Sequence, residues 1–157
     1  MGYNVFMRLL IQECLRGSVT VDGEVVSRIG RGEVVFVGFT IGDDEKIIDK
    51  MIDKLLKLRI FADKEGKTNL PFSEIDGEML LVSQFTLYAD LTGGNRPSFV
   101  KALPSKESQP LFEKFLVKME ERLPGRCHKG IFGADMKVEL VNDGPFTILL
   151  DSKELWG

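Results

Sequence analysis

The order of the apolar patterns along this chain is the feature that most constrains its fold. From Met7 to Thr40 the sequence is rich in Val, Ile, Leu and Phe, and Arg16-Gly17, Asp22-Gly23 and Gly30-Arg31-Gly32 interrupt it. Such punctuation predicts three or four strands. Asp22-Gly23 in particular predicts a tight hairpin, because both residues readily adopt the positive φ angles that this turn requires.

Two later segments carry apolar residues at three- and four-residue spacing, which is typical of a helix with one buried face. The first stripe consists of Ile48, Met51, Ile52, Leu55, Leu56 and Arg59, with Asp43 and Asp44 as candidate caps. The second consists of Leu111, Phe112, Phe115, Leu116, Met119 and Leu123 and is closed by Pro124-Gly125. We interpret both stripes as core-facing helix surfaces.

The remaining segments predict a polar turn over Asp63 to Asn69 and a strand covered on both faces over Met79 to Val82. Val138 to Val141 and Phe146 to Leu150 predict two closing strands, with a turn between them. The order of strands, helix, strand, helix and strands predicts a mixed α/β fold. No repeat or linker divides the chain, so residues 1–157 are expected to form a single domain.

Composition excludes several classes of protein. A chain of 157 residues with 43% hydrophobic content can bury about 70% of the surface that it exposes when unfolded. Cys14 and Cys127 are far apart and His128 is the only histidine, which disfavours both a disulfide framework and a zinc site. No segment has the length of a membrane span or the pattern of a signal peptide, so we expect no membrane partner and a cytoplasmic location.

The charge balance argues against a protein that coats nucleic acid non-specifically. Lys and Arg number 21 against 24 Asp and Glu, giving a net charge of -3. Strong non-specific binding to phosphates requires a surplus of cationic side chains. A local basic patch is still compatible with this composition.

Three polar segments are candidates for a functional site. Ser83 to Tyr88 follows the predicted buried strand directly, so its hydroxyls and amide are expected at the strand end, where ligands often bind. Gly93 to Phe99 can present backbone N–H groups and Arg96 to a phosphate. Asn142 to Thr147 contains Gly144-Pro145, and about 5 to 6% of X-Pro bonds are cis in folded proteins, which favours a trans turn here.

Each of these segments also has a purely structural interpretation. The hydroxyls of Ser83 to Tyr88 can satisfy local backbone groups, and Gly93 to Phe99 can be a surface loop. The usual catalytic constellations are missing from the chain. A Ser-His-Asp triad could be built only around His128, whose neighbour Cys127 would point to the opposite face of a strand, and neither a Walker motif nor a dinucleotide fingerprint occurs.

Together, the three segments resemble the motifs of the D-aminoacyl-tRNA deacylases, in the same order and at similar separations. Three further segments match the family as well: Ser18 to Gly23, Leu58 to Asp63 with Gly66-Lys67, and Gly130 to Met136. The resemblance runs from about Met7 to Ser152, and residues 1–6 form an extension. It implies a single-domain, layered α/β/β fold with largely antiparallel or mixed sheets and two main helices.

The resemblance also implies an activity, a partner and a site. The implied enzyme is a homodimeric, proofreading hydrolase that cleaves the ester between a D-amino acid and the terminal adenosine of tRNA, with no cofactor. Ser83, Gln84, Phe85 and Thr86 would line the pocket, with Thr86 at the reaction centre. Either Thr86 acts as nucleophile or hydroxyl donor, or backbone N–H groups near it stabilise the oxyanion while the tRNA ribose 2′-hydroxyl assists the attack.

Chiral selection and adenine binding fall to other segments in this family. The resemblance implies that the Gly144-Pro145 bond is cis and reaches the pocket of the partner subunit, where its main chain rejects L-amino acids. Phe132 would stack on the terminal adenine, and Gly133 would make the adjoining backbone contact. The remaining substrate-binding residues are Met136, which closes that segment, and Arg96. A core position for Phe132 is the alternative.

Two departures from the family pattern affect the Gly-Pro motif. Gln12-Glu13 stands where the family usually has Gln-Arg, and that arginine helps to fix the motif. Arg8 or Arg16 could supply the missing charge from another position. Phe146 replaces a smaller residue that commonly follows the Gly-Pro pair.

Two other functions compete with the implied one. A relative that binds tRNA ends or D-amino acids without catalysis would not need Gln84, Thr86 and the Gly-Pro pair together. An esterase or amidase for small molecules would need an activated side-chain nucleophile, so Thr86→Ala should abolish its activity. The acidic net charge fits a deacylase that grips chiefly the aminoacylated end of tRNA, using a patch from residues such as Lys129, Arg96 and Lys137.

Overall fold

This computed structural model describes residues 6–157, which contain eight strands and three α-helices. Most of the predicted N-terminal extension, residues 1–5, lies outside the described residues. The strands are β1 (Arg8–Val21), β2 (Glu24–Ile29), β3 (Gly32–Gly38), β4 (Phe61–Ala62), β5 (Thr68–Leu70), β6 (Glu78–Ser83), β7 (Cys127–Lys129) and β8 (Lys137–Asp151). The α-helices are α1 (Glu45–Lys57), α2 (Ser105–Arg122) and α3 (Ser152–Trp156), and two 3-10 helices span Phe72–Glu74 and Phe85–Tyr88.

One mixed sheet organises the molecule. Its strands run in the order β2-β1-β3-β6-β7, and β8 pairs with β1 as well. The β3–β6 and β6–β7 pairs are parallel, whereas β1 pairs antiparallel with β2, β3 and β8. A separate antiparallel pair joins β4 to β5. The expected mixed α/β fold with two main helices is therefore confirmed, and α3 is a short addition to it.

The C-terminal strand differs from its prediction. We expected two strands separated by a turn, but β8 is one 15-residue strand that pairs with β1 from Lys137 to Asp151. The register between the two strands shifts twice, between Gln12 and Cys14 and between Cys14 and Arg16. Irregularities of this kind absorb extra residues without ending a strand. The turn-forming residues of the Asn-Asp-Gly-Pro segment thus lie within a long, irregular strand.

Local signals located the first hairpin and the first helix. In the β1–β2 hairpin Val21 pairs with Glu24, and Asp22 and Gly23 have φ angles of 50° and 79°, as predicted for this turn. Helix α1 begins after Asp44, whose side chain accepts a hydrogen bond from the Ile47 N–H at 3.2 Å. The helix ends at Lys57, so the predicted stripe was wrong in including Arg59, which donates to the Asn69 carbonyl instead.

The sheet is buried on both faces where β3 and β6 run side by side. On one face α1 and α2 cover Val35, Leu81 and their neighbours, and α2 contributes Phe112 and Phe115 to this larger cluster. On the other face Val34, Leu80 and Val82 form a smaller cluster, partly covered by side chains from β8. A strand buried on both faces reads as a continuous apolar run, as the Met79 to Val82 segment does.

Candidate active site

A cavity of about 650 Å³ opens at the carboxyl end of the parallel β3–β6 pair. Val37 of β3 lies opposite Ser83 of β6 at this edge. The cavity walls come from the ends of both strands, from the segment before α2 and from the segment before β8. The lining residues include Val37, Phe39, Ser83, Gln84, Phe85, Phe99, Ala102, Leu103, Ser108, Phe132, Gly133 and Met136.

The Ser83–Tyr88 segment forms one wall of this cavity. The Gln84 N–H donates to the Val37 carbonyl at 2.8 Å, which extends the strand pairing beyond Ser83. The chain then turns into the 3-10 helix, and Phe85 stands at the rim with 56% of its surface exposed. Its ring packs edge-on against Phe99, with 5.1 Å between ring centroids. This segment is where the sequence predicted it, at the end of a buried strand.

Thr86 adjoins the cavity without lining it. Its side chain is exposed, and its hydroxyl oxygen accepts a hydrogen bond from the Gln84 side-chain amide at 2.5 Å. An amide N–H is a donor and cannot remove the proton of a hydroxyl group. The nearest polar partner of Thr86 therefore orients the hydroxyl without activating it as a nucleophile.

The opposite wall comes from the predicted adenine-binding segment. Phe132, Gly133 and Met136 all line the cavity. Phe132 is half-buried, and its ring lies 6.0 Å from that of Phe112 in α2. The core position considered for Phe132 is therefore only half right, because one part of the ring packs on the core and another faces the cavity.

Gly144, Pro145 and Arg96 lie outside this cavity. None of the three lines the cavity of its own chain, and all three are exposed. The Gly144-Pro145 bond is cis, as the resemblance implies and against the base rate. The Asn142 side chain spans this motif, since its carbonyl oxygen accepts from the Phe146 N–H at 2.6 Å and its amide donates to the Thr147 hydroxyl at 2.9 Å.

An acidic cluster lies next to the Gly-Pro motif. Glu13 of β1 and Glu33 of β3 are directly opposite each other in the antiparallel pair. Glu33 is only 1% exposed, and neither of its carboxylate oxygens has a hydrogen-bond partner among the described residues. Burial, together with the charge of Glu13, raises the pKa of Glu33 to about 8. Burial and then Asp143 raise the pKa of Glu13 to about 7, against the opposing effect of Arg31.

Arg8 does not take the place of the missing family arginine. Its guanidinium bonds to Asp151 and to the carbonyl of Leu87 in the 3-10 helix. Arg8 therefore holds the Ser83–Tyr88 segment on the cavity wall, while the side chain of Asn142 holds the Gly-Pro motif.

Among residues 6–157, neither a histidine nor a cysteine lines the cavity. His128 is on β7, where its Nε2 lies 2.7 Å from the Glu78 carboxylate, and it does not line the cavity. Burial raises the pKa of the Cys14 thiol to about 11 and that of Cys127 to about 12, which keeps both protonated near neutral pH. Asp135 is the one carboxylate among the lining residues, and it pairs with Lys137 at 3.0 Å.

Residues 6–157 contain neither a metal-binding cluster nor a membrane-spanning helix. Within that range, no group of three or more His, Cys, Asp or Glu side chains is placed to hold a metal ion. No helix of the described chain has both the length and the apolar content required to cross a bilayer.

The comparisons with known proteins place the chain in a family. Residues 10–151 match the family described as D-Tyr-tRNA(Tyr) deacylase. The chain belongs to this deacylase family. A D-aminoacyl-tRNA deacylase of Dechloromonas aromatica is 47% identical over 94% of this chain and 98% of the relative. One of Lactobacillus acidophilus is 50% identical over 92% of this chain and 99% of the relative.

Two solved structures share the fold of this chain. A protein described as c-Myc DNA Unwinding Element Binding Protein is 38% identical, with a TM-score of 0.85 over 91% of this chain and 97% of the other. A probable eukaryotic D-amino acid tRNA deacylase superposes with a TM-score of 0.79 at 20% identity, over 93% of this chain and 99% of the other. At this identity, the second similarity shows only that the two chains have the same fold.

The sequence did not reveal several residues that build this site. Val37, Phe39, Ala102 and Leu103 line the cavity, yet in sequence they look like ordinary core residues. The parallel pairing of β3 with β6 brings Val37 to the wall. The other three are brought together by the bridge between Thr40 and Ala102 and by the Leu103 N–H, which donates to the Phe39 carbonyl at 3.0 Å. Gly38 was missed as well, although a glycine inside an apolar strand is a signal for close approach of another backbone.

Proposed function

We propose that the protein hydrolyses the ester bond of D-aminoacyl-tRNA, releasing the free D-amino acid and tRNA during translation in the cytoplasm. The observation that carries this proposal is the cavity itself. Ser83, Gln84 and Phe85 form one wall and Phe132 and Gly133 another, so the two segments matched to the family's pocket meet at one opening. The names of the relatives, D-aminoacyl-tRNA deacylase, support the same substrate class.

The groups at the cavity favour a reaction that the main chain and the substrate carry out together. In a 3-10 helix the first N–H groups have no partner within the helix, so Phe85 and Thr86 offer amides to a developing oxyanion. The 2′-hydroxyl of the terminal ribose would assist the attack on the ester. A mechanism of this kind requires no histidine, in agreement with the position of His128 away from the cavity.

Phe132 would bind the terminal adenine. The ring is supported from behind by Phe112 at 6.0 Å and borders the cavity on its other side. A ring fixed in this way can stack on a base without losing much conformational freedom, and stacking tolerates different tRNA sequences. Gly133, whose φ is 77°, would allow close approach of the main chain to the nucleotide.

Chiral selection would require a second copy of the chain. Gly144 and Pro145 are exposed and lie outside the cavity of their own chain. We propose that in a homodimer each motif enters the cavity of the partner and that its main chain excludes L-amino acids. Such an arrangement is isologous, so the two sites would be equivalent.

Binding of tRNA would be modest and only weakly dependent on salt. Lys129, Lys137 and Arg96 are exposed and would supply a small patch for the aminoacylated end, against a net charge of -3. Since the salt dependence scales with the number of phosphates neutralised, a shallow slope is expected. A steep slope would indicate a wider footprint on the tRNA.

The decisive test is hydrolysis of matched D- and L-tyrosyl-tRNA by the purified protein, with Pro145→Ala as the variant. Rapid loss of the D-ester alone is the expected result. Cleavage of both esters by the wild type would retain the enzyme class and place the fault in the Gly-Pro motif. Cleavage of neither would favour a non-catalytic relative that binds tRNA ends or D-amino acids.

Thr86→Ala separates the two mechanisms. We expect the variant to retain activity within about tenfold of the wild type, because the main-chain amide survives the substitution. Complete loss of turnover in a correctly folded variant would establish the hydroxyl as nucleophile. An esterase acting on free small molecules predicts that loss as well.

A further inference from the structure

We propose that Arg8 is a positioning residue for the reaction, because its guanidinium fixes the 3-10 helix that carries Phe85 and Thr86. This inference rests on the proposed function of that segment. Arg8 does not line the cavity, and it contacts none of the residues proposed to bind the substrate. It would act through the main chain of Leu87 and the ring of Tyr88.

Three contacts join Arg8 to its surroundings. One terminal nitrogen of its guanidinium donates to the Leu87 carbonyl at 2.7 Å, and Nε donates to the Asp151 carboxylate at 3.0 Å. The guanidinium carbon lies 4.6 Å from the ring centroid of Tyr88, which is 5% exposed. A planar guanidinium can satisfy a carbonyl, a carboxylate and an aromatic face at once, which an ammonium group cannot do.

The register of the sheet explains why this residue reaches the helix. Arg8 lies opposite Gly38 of β3 on one side and Asp151 of β8 on the other. A Cβ atom at Gly38 would lie 3.1 Å from both the Gln84 carbonyl oxygen and the Leu87 Cβ. The 3-10 helix therefore packs directly on the glycine that pairs with Arg8, within reach of the arginine side chain.

These contacts fix the amides proposed to bind the oxyanion. Gln84 is tied to Val37 at the start of the segment, and Leu87 is tied to Arg8 at its end. Phe85 and Thr86 lie between the two ties. Without Arg8, the next hydrogen bonds that tie this segment to the rest of the chain are those between Asp90 and Ser98, beyond the end of the helix. Misplacement of catalytic groups by about 1 Å can cost on the order of a hundredfold in rate.

The chain contains a matched control, Arg126. Its guanidinium donates to the carbonyls of Gly77 and Ile75 at 2.8 and 3.0 Å and lies 4.7 Å from the ring centroid of Phe72. These contacts resemble those of Arg8, and the residues that Arg126 contacts lie in or just after the other 3-10 helix, Phe72–Glu74. None of these residues lines the cavity.

The test compares Arg8→Met with Arg126→Met by two measurements on the full-length protein. The first is kcat and KM for D-tyrosyl-tRNA, and the second is hydrogen exchange of the Leu87 and Ala89 amides, which are hydrogen-bonded within the 3-10 helix. We expect Arg8→Met to lower kcat by at least about tenfold with KM within about threefold, and to accelerate exchange in this segment. Arg126→Met should leave kcat and that exchange close to wild type. Arg8→Lys should recover part of kcat, because one ammonium can still donate to Leu87.

A double variant controls for a loss of activity caused by unfolding. Asp151 is buried, so removal of Arg8 leaves an uncompensated carboxylate, and Arg8→Met with Asp151→Asn removes that charge as well. The double variant should fold and show the same loss of kcat. Equal kcat in the two single methionine variants, or unchanged exchange in Arg8→Met, would overturn the inference. If the wild type does not hydrolyse the ester, the proposed function fails, and the exchange measurement still decides whether Arg8 holds the helix.

Discussion

The Ser83–Tyr88 segment and the Asn142–Phe146 segment contrast sharply, although both are assigned to one reaction. The first lies against its own cavity and is tied to the sheet through Val37 and Arg8. The second lies on β8, is held mainly by the side chain of Asn142, and exposes Asp143, Gly144 and Pro145. Within residues 6–157 the first region borders a cavity, whereas Gly144 and Pro145 do not line that cavity, and this difference is the reason for proposing a second copy of the chain.

The largest effect is expected where the first region packs most tightly. Gly38→Val would place a side chain where a Cβ alone already lies 3.1 Å from the Gln84 carbonyl oxygen. The segment must move, so hydrolysis of D-tyrosyl-tRNA should fall by about a hundredfold or more. Gly30→Val is the control, because a Cβ there meets only the end of the Glu78 side chain at 3.6 Å. Equal activity in both variants would show that packing on Gly38 does not place the site.

The acidic cluster beside the second region predicts a stability that depends on pH. The folded-state pKa of Glu33 is about 8 against an ordinary value of 4.5, so the folded protein binds this proton more tightly. Stability from this group is therefore complete below about pH 4.5 and is lost as the pH rises through about 8. Glu33→Gln removes the charge and should raise the free energy of unfolding by roughly 2 to 5 kcal/mol at pH 9, and by far less at pH 5.

Denaturant unfolding at the two pH values measures this effect. Glu24→Gln on the exposed strand β2 serves as the control, with little change expected at either pH. A gain from Glu33→Gln that is the same at pH 5 and pH 9 would contradict the assignment of the effect to a buried charge.

A smaller effect is expected from loosening the second region. Asn142→Ala removes the acceptor for the Phe146 N–H and the donor to Thr147. The Gly-Pro motif should then be less well fixed, and the ratio of D- to L-tyrosyl-tRNA hydrolysis should fall by about tenfold. Asn142→Asp keeps the acceptor and should lose less. An unchanged ratio in the alanine variant would mean that the motif is fixed by other contacts.

The sequence predicted those parts of the fold that local chemistry determines. The Asp22-Gly23 hairpin, the Asp44 cap of α1 and the buried strand Met79 to Val82 each depend on residues close together in the chain. The Asn142 to Thr147 segment was read as a turn because its residues favour turns. Instead, β8 pairs with β1 on both sides of residues 143–146, which themselves have no partner in β1, and such pairing is not visible in local sequence.

The same division applies to the site. The end of a buried strand indicated Ser83 to Tyr88, and the matched family segment indicated Phe132. Of these residues, Ser83, Gln84, Phe85 and Phe132 line the cavity. Gly38 and Arg8 were not assigned to this site, because their importance depends on register across β1, β3 and β8. Long-range pairing therefore decides which residues support the site, whereas the local sequence identified only part of the cavity lining.

A heterodimer of two variants tests most directly whether one site draws on two copies of the chain. Gly38→Val and Pro145→Ala would be co-expressed with different affinity tags, and the mixed dimer isolated by tandem purification. The Gly38→Val homodimer should be nearly inactive toward both esters, and the Pro145→Ala homodimer should hydrolyse D- and L-tyrosyl-tRNA alike. The heterodimer has one intact cavity facing one intact Gly-Pro motif, so we expect about half of the wild-type D-ester hydrolysis per dimer and no gain in L-ester hydrolysis. L-ester hydrolysis by the heterodimer at half the rate of the Pro145→Ala homodimer would contradict this, because the working cavity would then depend on the motif of its own chain.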